Sequence, residues 1–187
     1  MKLYTELAWI WSIFTDEDTY QEEADILIEI ASNALGRRPK DLLELGSGGG
    51  YLASCFDSDI EVVLVDSSDK MIQESQKLNP NKKHLCADML QVDCQQKFDL
   101  VLIHDAVMYL KSEKEAENLL RNAKKHLRKN GVLVLIPDVF TESFHEREMM
   151  AKASGFHENE RVDIVLTEWH WDPKQGDNSI QVEFSVL

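Results

Sequence analysis

The sequence predicts an α/β protein: a doubly wound, mostly parallel sheet followed by a C-terminal antiparallel hairpin. Three observations predict it. Short apolar runs of strand length at 42–45, 61–65, 98–103 and 132–136 each stand beside a stretch with helical spacing. A turn with four glycines in five residues, Gly46-Ser47-Gly48-Gly49-Gly50, joins the first run to a helical pattern beginning at Tyr51. Two late runs, 162–171 and 180–186, alternate apolar and polar residues across turn-forming sequence.

Residues 3–14 (L-Y-T-E-L-A-W-I-W-S-I-F) are aromatic enough to demand cover, and a helix that packs on the domain or lids a pocket is expected. From Gln21, the residues Ala24, Leu27, Ile28, Ala31 and Leu35 recur at helical spacing, with Gly36 as cap and Pro39 as stop. Leu42, Leu43 and Leu45 form a strand buried on both faces. Tyr51, Leu52, Ala53, Cys55 and Phe56 open a helix. Glu61–Val65 is a second strand with Asp66 at its tip, and Ser67 or Ser68 caps the next helix, whose inner side is Met71, Ile72, Ser75 and Leu78. Lys83–Cys86 is a third strand and Phe98–Ile103 a fourth. Ser112 to Glu115 is a capping box opening a helix with the stripe Ala116, Leu119, Leu120, Ala123 and Leu127. Asn130-Gly131 is read as its cap, and Val132–Ile136 as a fifth strand. Residues 143–153 are expected to be a short helix. Val162, Ile164 and Leu166 alternate in one phase and Trp169 and Trp171 in the other, which predicts a bulge near Thr167–Glu168. Residues 172–177 are turn material before the alternating Ile180, Val182, Phe184 and Val186.

Strand, glycine turn and helix make a crevice at the carboxyl edge of a parallel sheet. Glycine there permits positive φ and close approach of a ligand. A carboxylate at the tip of the second strand, Asp66, can accept hydrogen bonds from both hydroxyls of a ribose. The dinucleotide pattern is broken, because Tyr51 stands where its third glycine belongs. Glu44, just before the turn, would repel a pyrophosphate and suits a cationic ligand.

E-L-G-S-G-G-G followed by V-L-V-D resembles motif I and the acidic loop of class I S-adenosylmethionine (SAM) dependent methyltransferases. C-A-D-M at 86–89, F-D-L-V-L-I-H-D-A-V-M-Y-L at 98–110 and L-R-K-N-G-V-L-V-L at 127–135 extend the likeness over most of residues 1–137, in the family's order. The resemblance implies a Rossmann-like fold, SAM as cofactor, and a small-molecule methyl acceptor at nitrogen or oxygen. It implies three parts in a single domain: a helical lid (1–38), a cofactor-binding core (39–137), and a helix plus hairpin (138–187). It implies that Gly46, Ser47 and Gly48 admit the methionine portion, that Asp66 with Ser67 and Met71 lies at the ribose, and that Asp88 and Met89 meet the adenine. Tyr4 and Trp11 join the cofactor site from the lid; Tyr20 and Trp11 are equally readable as core aromatics. His104, Asp105 and Tyr109, at the end of the fourth strand, are likewise implied by the resemblance to be cofactor-binding residues. His104 is either a base for the acceptor or a contact to the methionine part of the cofactor.

The charge of −14 disfavours nucleic acid as a partner. Lys124, Lys125, Arg128 and Lys129 cluster at a helix end, where they complement its dipole. Cys55, Cys86 and Cys94 have neither disulfide nor metal spacing, and no metal is expected. The amino terminus lacks a signal peptide's basic start, no apolar run reaches membrane-spanning length, and a cytoplasmic location follows as the default. Two rivals remain: a methyltransferase-fold binding module or partner subunit without turnover, and a nicotinamide-dependent oxidoreductase. At the carboxyl end, either an inserted hairpin leaves the sheet with an open edge, or the last strands complete the sheet. The first option predicts a homodimer through the face carrying Trp169, Trp171, Ile180, Val182 and Phe184.

Overall fold

A computed structural model describes residues 2–15, 17–140, 142–172 and 181–186. Two units form: Met1–Trp11 with Thr15–Asp138, and Ser12–Phe14 with Val139–Leu187.

The first unit holds five parallel strands: β1 (Asp41–Leu45), β2 (Glu61–Asp66), β3 (Lys83–Cys86), β4 (Phe98–His104) and β5 (Leu127–Ile136). Their order is β3-β2-β1-β4-β5, so the chain reverses direction across the sheet between β1 and β4. Side chains alternate between the faces. Leu42, Val62, Leu64, Leu100 and Leu102 pack with Ala24, Leu27, Ile28 and Ala31 of helix α2 (Glu17–Leu35) and with Leu52, Ala53 and Phe56. Leu43, Val63, Val65, Val101 and Ile103 pack on the other side with Leu119 and Ala123 of helix α5 (Glu113–His126). A strand covered on both faces is predominantly apolar, and the Leu- and Val-rich runs report that; the buried acids Asp41, Glu44 and Asp99 are the exceptions in β1 and β4.

Local signals set most helix ends. Gly36, at φ +71, terminates α2. Ser68 caps helix α4 (Asp69–Leu78) by accepting from the Met71 N–H. Ser112 caps α5 through the Glu115 N–H, while Glu115 turns back to Lys111 N–H at 2.7 Å. Several expectations are corrected. Residues 2–14 form two 3₁₀ turns, Lys2–Tyr4 and Ala8–Ile10, and the four-residue helix α1 (Trp11–Phe14), with Leu3, Ala8 and Ile10 buried. The helix after the glycine turn, α3 (Tyr51–Ser54), is a single turn. Leu78 and Leu120 are exposed; the inner side of α5 uses Asn122 and His126 instead, because both side chains find buried partners. Asn130-Gly131 does not cap α5, which ends four residues earlier. These residues lie within β5, where the register against β4 jumps from Phe98↔Leu127 to Leu100↔Val132.

The second unit is a three-stranded antiparallel sheet of β6 (Arg147–His157), β7 (Glu160–Trp171) and β8 (Gln181–Val186). The expected hairpin is β7-β8; its turn, residues 173–180 including Ile180, lies outside the described residues, as do the side chains of Val182 and Phe184. The expected helix at 143–153 is instead β6. Glu158 and Asn159, at φ +51 and +69, make a two-residue turn of the twist that strands favour, and β6 pairs with β7 from His157↔Glu160 to Arg147↔His170. That ladder is unbroken, so no bulge occurs near Thr167–Glu168. The phase change is a change in which face carries the large residues: Ile164 and Leu166 on one, Trp169 and Trp171 on the other. Ile13 packs against Gly155. The three strands form their own sheet and do not complete the parallel one, which keeps β5 as its edge among the described residues.

Candidate active site

The parallel register sets four strand ends in a row: Ala87-Asp88 after β3, Asp66 at the tip of β2, Gly46 after β1, and His104-Asp105 at the tip of β4. Gly46, at φ +80, has no room for a side chain: an added Cβ would lie 2.3 Å from Ala106 Cβ. That contact lets the turn after β1 close against the segment after β4. Met89 Sδ would be 3.7 Å from the same atom, so the loop after β3 also reaches the turn.

Asp66 organises the turn. Its carboxylate accepts from Gly48 N–H at 2.9 Å and from Ser68 N–H at 2.8 Å. Burial pushes its carboxyl up, and the backbone N–H groups of Ser68, Gly48 and Ser67 oppose the shift. Met71, buried on α4, brings its terminal methyl beside Gly48. The first residues close the same edge. Ser68 Oγ donates to the Tyr4 carbonyl, the Tyr4 ring stacks on Trp11 with centroids 5.9 Å apart, and its hydroxyl is hydrogen-bonded to that of Tyr109. Trp11 Nε1 donates to Leu3 O at 3.1 Å. Burial above all, then the neighbouring Tyr109, drives the Tyr4 hydroxyl pKa well up.

Glu44 lies in this edge, 3% exposed, and its Oε2 has no hydrogen-bond partner among the described residues; the same holds for Ser47 Oγ. Burial, helped by Asp66 and Glu23, raises the Glu44 carboxyl to about 8. An orphaned buried carboxyl oxygen of this kind calls for a polar or charged partner that the described residues do not supply. A cofactor with an ammonium group and a sulfonium supplies both a donor and positive charge, so Glu44, Ser47, the Gly46–Gly48 turn and Asp66 fit SAM. Asp88 sits in an exposed loop with its oxygens engaged by Leu90 N–H at 2.8 Å and Gln91 Nε2 at 3.0 Å. Met89 O accepts from Asn122.

At β4, His104 is held at both ends. Nε2 is 2.8 Å from Glu23 Oε1 and Nδ1 is 3.4 Å from Asp105 Oδ2. Glu23 was not singled out from the sequence. Its signal is an acid one turn after Tyr20 and one turn before Leu27, on the inner stripe of α2. Tyr20 packs near Tyr51, ring centroids 6.3 Å apart. A concavity of about 170 Å³ beside α2, lined by Ala24, Ile28, Arg38, Cys55 and Asp57, holds none of the residues at the strand ends.

Residues 43–135 match the family described as "Methyltransferase domain", from β1 to the end of β5. No curated protein matches the sequence. Among solved structures, DesVI of Streptomyces venezuelae is 20% identical, with 90% of this chain and 75% of that one covered and a TM-score of 0.69. CalS10 of Micromonospora echinaspora, an amino pentose methyltransferase with SAM bound, is 21% identical over 89% and 75%, with a TM-score of 0.72. KedS8, a sugar N-methyltransferase of a Streptoalloteichus species, is 19% identical over 88% and 70%, with a TM-score of 0.61. At such identities the likeness is one of fold. Together with the domain match, the strand order 3-2-1-4-5 and the glycine turn tied to a strand-tip carboxylate, it leads to one conclusion: residues 43–135 of this chain are a methyltransferase domain on a Rossmann-like core.

Proposed function

We propose that the protein transfers a methyl group from SAM to a nitrogen or oxygen of a small molecule. The observation that carries this reading is the row of strand ends, with Asp66, whose two oxygens accept from Gly48 and Ser68 N–H and keep lone pairs for ribose hydroxyls, beside the buried Glu44 Oε2, which has no hydrogen-bond partner among the described residues. SAM, when bound, supplies an electrophilic methyl carbon on a sulfonium. The chain's own part is alignment and exclusion of water. Asp66 holds the turn in place, Glu44 offers its carboxyl to positive charge, and the Tyr4–Trp11–Tyr109 cluster acts as the lid. CalS10 is described as an amino pentose methyltransferase and KedS8 as a sugar N-methyltransferase, so amines head the acceptors to test.

A second reading, a SAM-holding partner subunit without turnover, draws support from His104, whose two ring nitrogens both face carboxylates. Turnover separates the readings. Release of S-adenosylhomocysteine (SAH) from SAM over paired amines and alcohols is expected with the wild type. SAH binding without any turnover would favour the partner subunit, and stabilisation by NAD alone would reject both.

A homodimer through the C-terminal sheet and a cytoplasmic location complete the proposal. Exposed Met149, Met150 and Phe156 on β6 support the former. For the latter, no helix among the described residues is long and apolar enough to cross a membrane.

A further inference from the structure

We propose that Asp105, rather than His104, meets the methyl acceptor and selects one that bears a protonated amine. This rests on the methyltransferase reading above and names the acceptor side of the same site.

Position argues first. With Asp66 at the tip of β2 and the glycine turn after β1, the next strand end is that of β4. Two strand spacings separate Asp105 from Asp66, roughly 10 Å. Asp105 therefore stands beyond the turn, on the side away from the ribose carboxylate.

Local geometry argues second. Asp105 has φ +55 and ψ −21, outside the strand conformation of the residues before it. Its N–H donates to Ile136 O at 2.8 Å and its carbonyl accepts from Met108 N–H at 3.0 Å, so this backbone is pinned. The side chain of Asp105 is 47% exposed, that of His104 only 14%. His104 presents its nitrogens to Glu23 and Asp105, which leaves the carboxylate as the outward end of the group. His104 and Glu23 are then positioning residues.

Charge argues third. Besides burial, the acids Asp138 and Glu23 act on Asp105 in one direction and His104 in the other. Glu23, held 2.8 Å from His104 Nε2, adds a second carboxylate on this side of the site. An anionic acceptor is repelled here, a hydroxyl gains one hydrogen bond, and an ammonium gains hydrogen bonds and charge. The bound ammonium passes one proton to the Asp105 carboxylate, leaving a neutral amine with a free electron pair and a neutral carboxyl.

The test uses the full chain saturated with SAH, titrated with glucosamine and with glucose as its hydroxyl counterpart. The wild type is expected to bind glucosamine more tightly than glucose. Asp105→Asn is expected to remove that preference, roughly 10- to 100-fold in glucosamine affinity, with SAH affinity unchanged. Asparagine tolerates positive φ, which protects the fold of the variant. His104→Gln is expected to weaken glucosamine less than Asp105→Asn does. Equal responses to the two sugars in the wild type would overturn the proposal. So would a preference that survives Asp105→Asn, or a loss of SAH affinity in that variant equal to the loss for glucosamine. Failure of the wild type to bind SAH would instead refute the methyltransferase reading itself.

Discussion

Replacing Asp66 by alanine tests the centre of the site. In the structure its carboxylate accepts two backbone N–H groups, from Gly48 in the glycine turn and from Ser68 at the start of α4. Hydrogen bonds to a charged group contribute about 1.5–3 kcal/mol each. Water can replace part of that at a half-buried position, so the fold is expected to lose about 2–4 kcal/mol in a urea titration. Ligand binding is a separate loss. Two ribose hydroxyls would donate to the same carboxylate, and their removal costs a further 2–4 kcal/mol or so, roughly 30- to 1,000-fold in SAH dissociation constant. Calorimetry on the folded variant measures the second term, and the denaturation midpoint measures the first. Because burial holds the carboxyl above its ordinary value, a proton competes with the ribose as pH falls through that raised range, so wild-type SAH affinity should weaken there. Asp66→Asn should show a flat profile. A variant that is destabilised yet binds SAH as the wild type does would refute the ribose assignment and leave Asp66 a purely structural anchor.

Glu44→Gln should flatten stability against pH. The folded carboxyl titrates at about 8 and the unfolded one near 4.3, so the folded state binds more protons between them and wild-type stability falls as pH rises through about 8. Melting temperatures from pH 6 to 9 that run parallel in the two proteins would contradict this. Asp99 is 2% exposed and accepts from both Arg37 guanidinium nitrogens at 2.7 Å, from Arg128 and from Lys40 N–H. Its carboxyl is held well below the usual range, chiefly by Arg37, so its contribution is present above about pH 4 and lost as pH falls toward the folded value. Asp99→Asn should cost about 2–3 kcal/mol at neutral pH, since both arginines can turn to water, and should soften acid unfolding. Gly46→Ala should cost about 2–5 kcal/mol, from left-handed backbone and the collision with Ala106, and adding Ala106→Gly should recover only the collision. Light scattering at micromolar concentration should show a dimer; a monomer would remove the C-terminal sheet as an interface.

The amino-acid sequence by itself determined the parallel core, because strands covered on both faces are predominantly apolar and the runs at 42–45, 61–65 and 98–103 have that character. It also determined the places where backbone conformation is decided by one or two neighbours, such as the left-handed Gly46, Gly48 and Gly50 and the Ser68 and Ser112 caps. Residues 147–157 went the other way. Glu148, Met149, Met150, Ala151 and Lys152 suit a helix, yet eleven residues pair with β7, and a ladder shared with a distant strand outweighs small local preferences. Only the tertiary structure decided the polar pairings. Glu23 lies 81 residues from His104, Arg37 lies 62 from Asp99, and Arg128 lies 87 from Asp41. No local pattern encodes such pairs, since each partner alone reads as an ordinary exposed charge until packing removes water from between them. The same holds for Asp105, whose exposed carboxylate and pinned backbone come from where β5 and α2 place Ile136 and Glu23 around the end of β4.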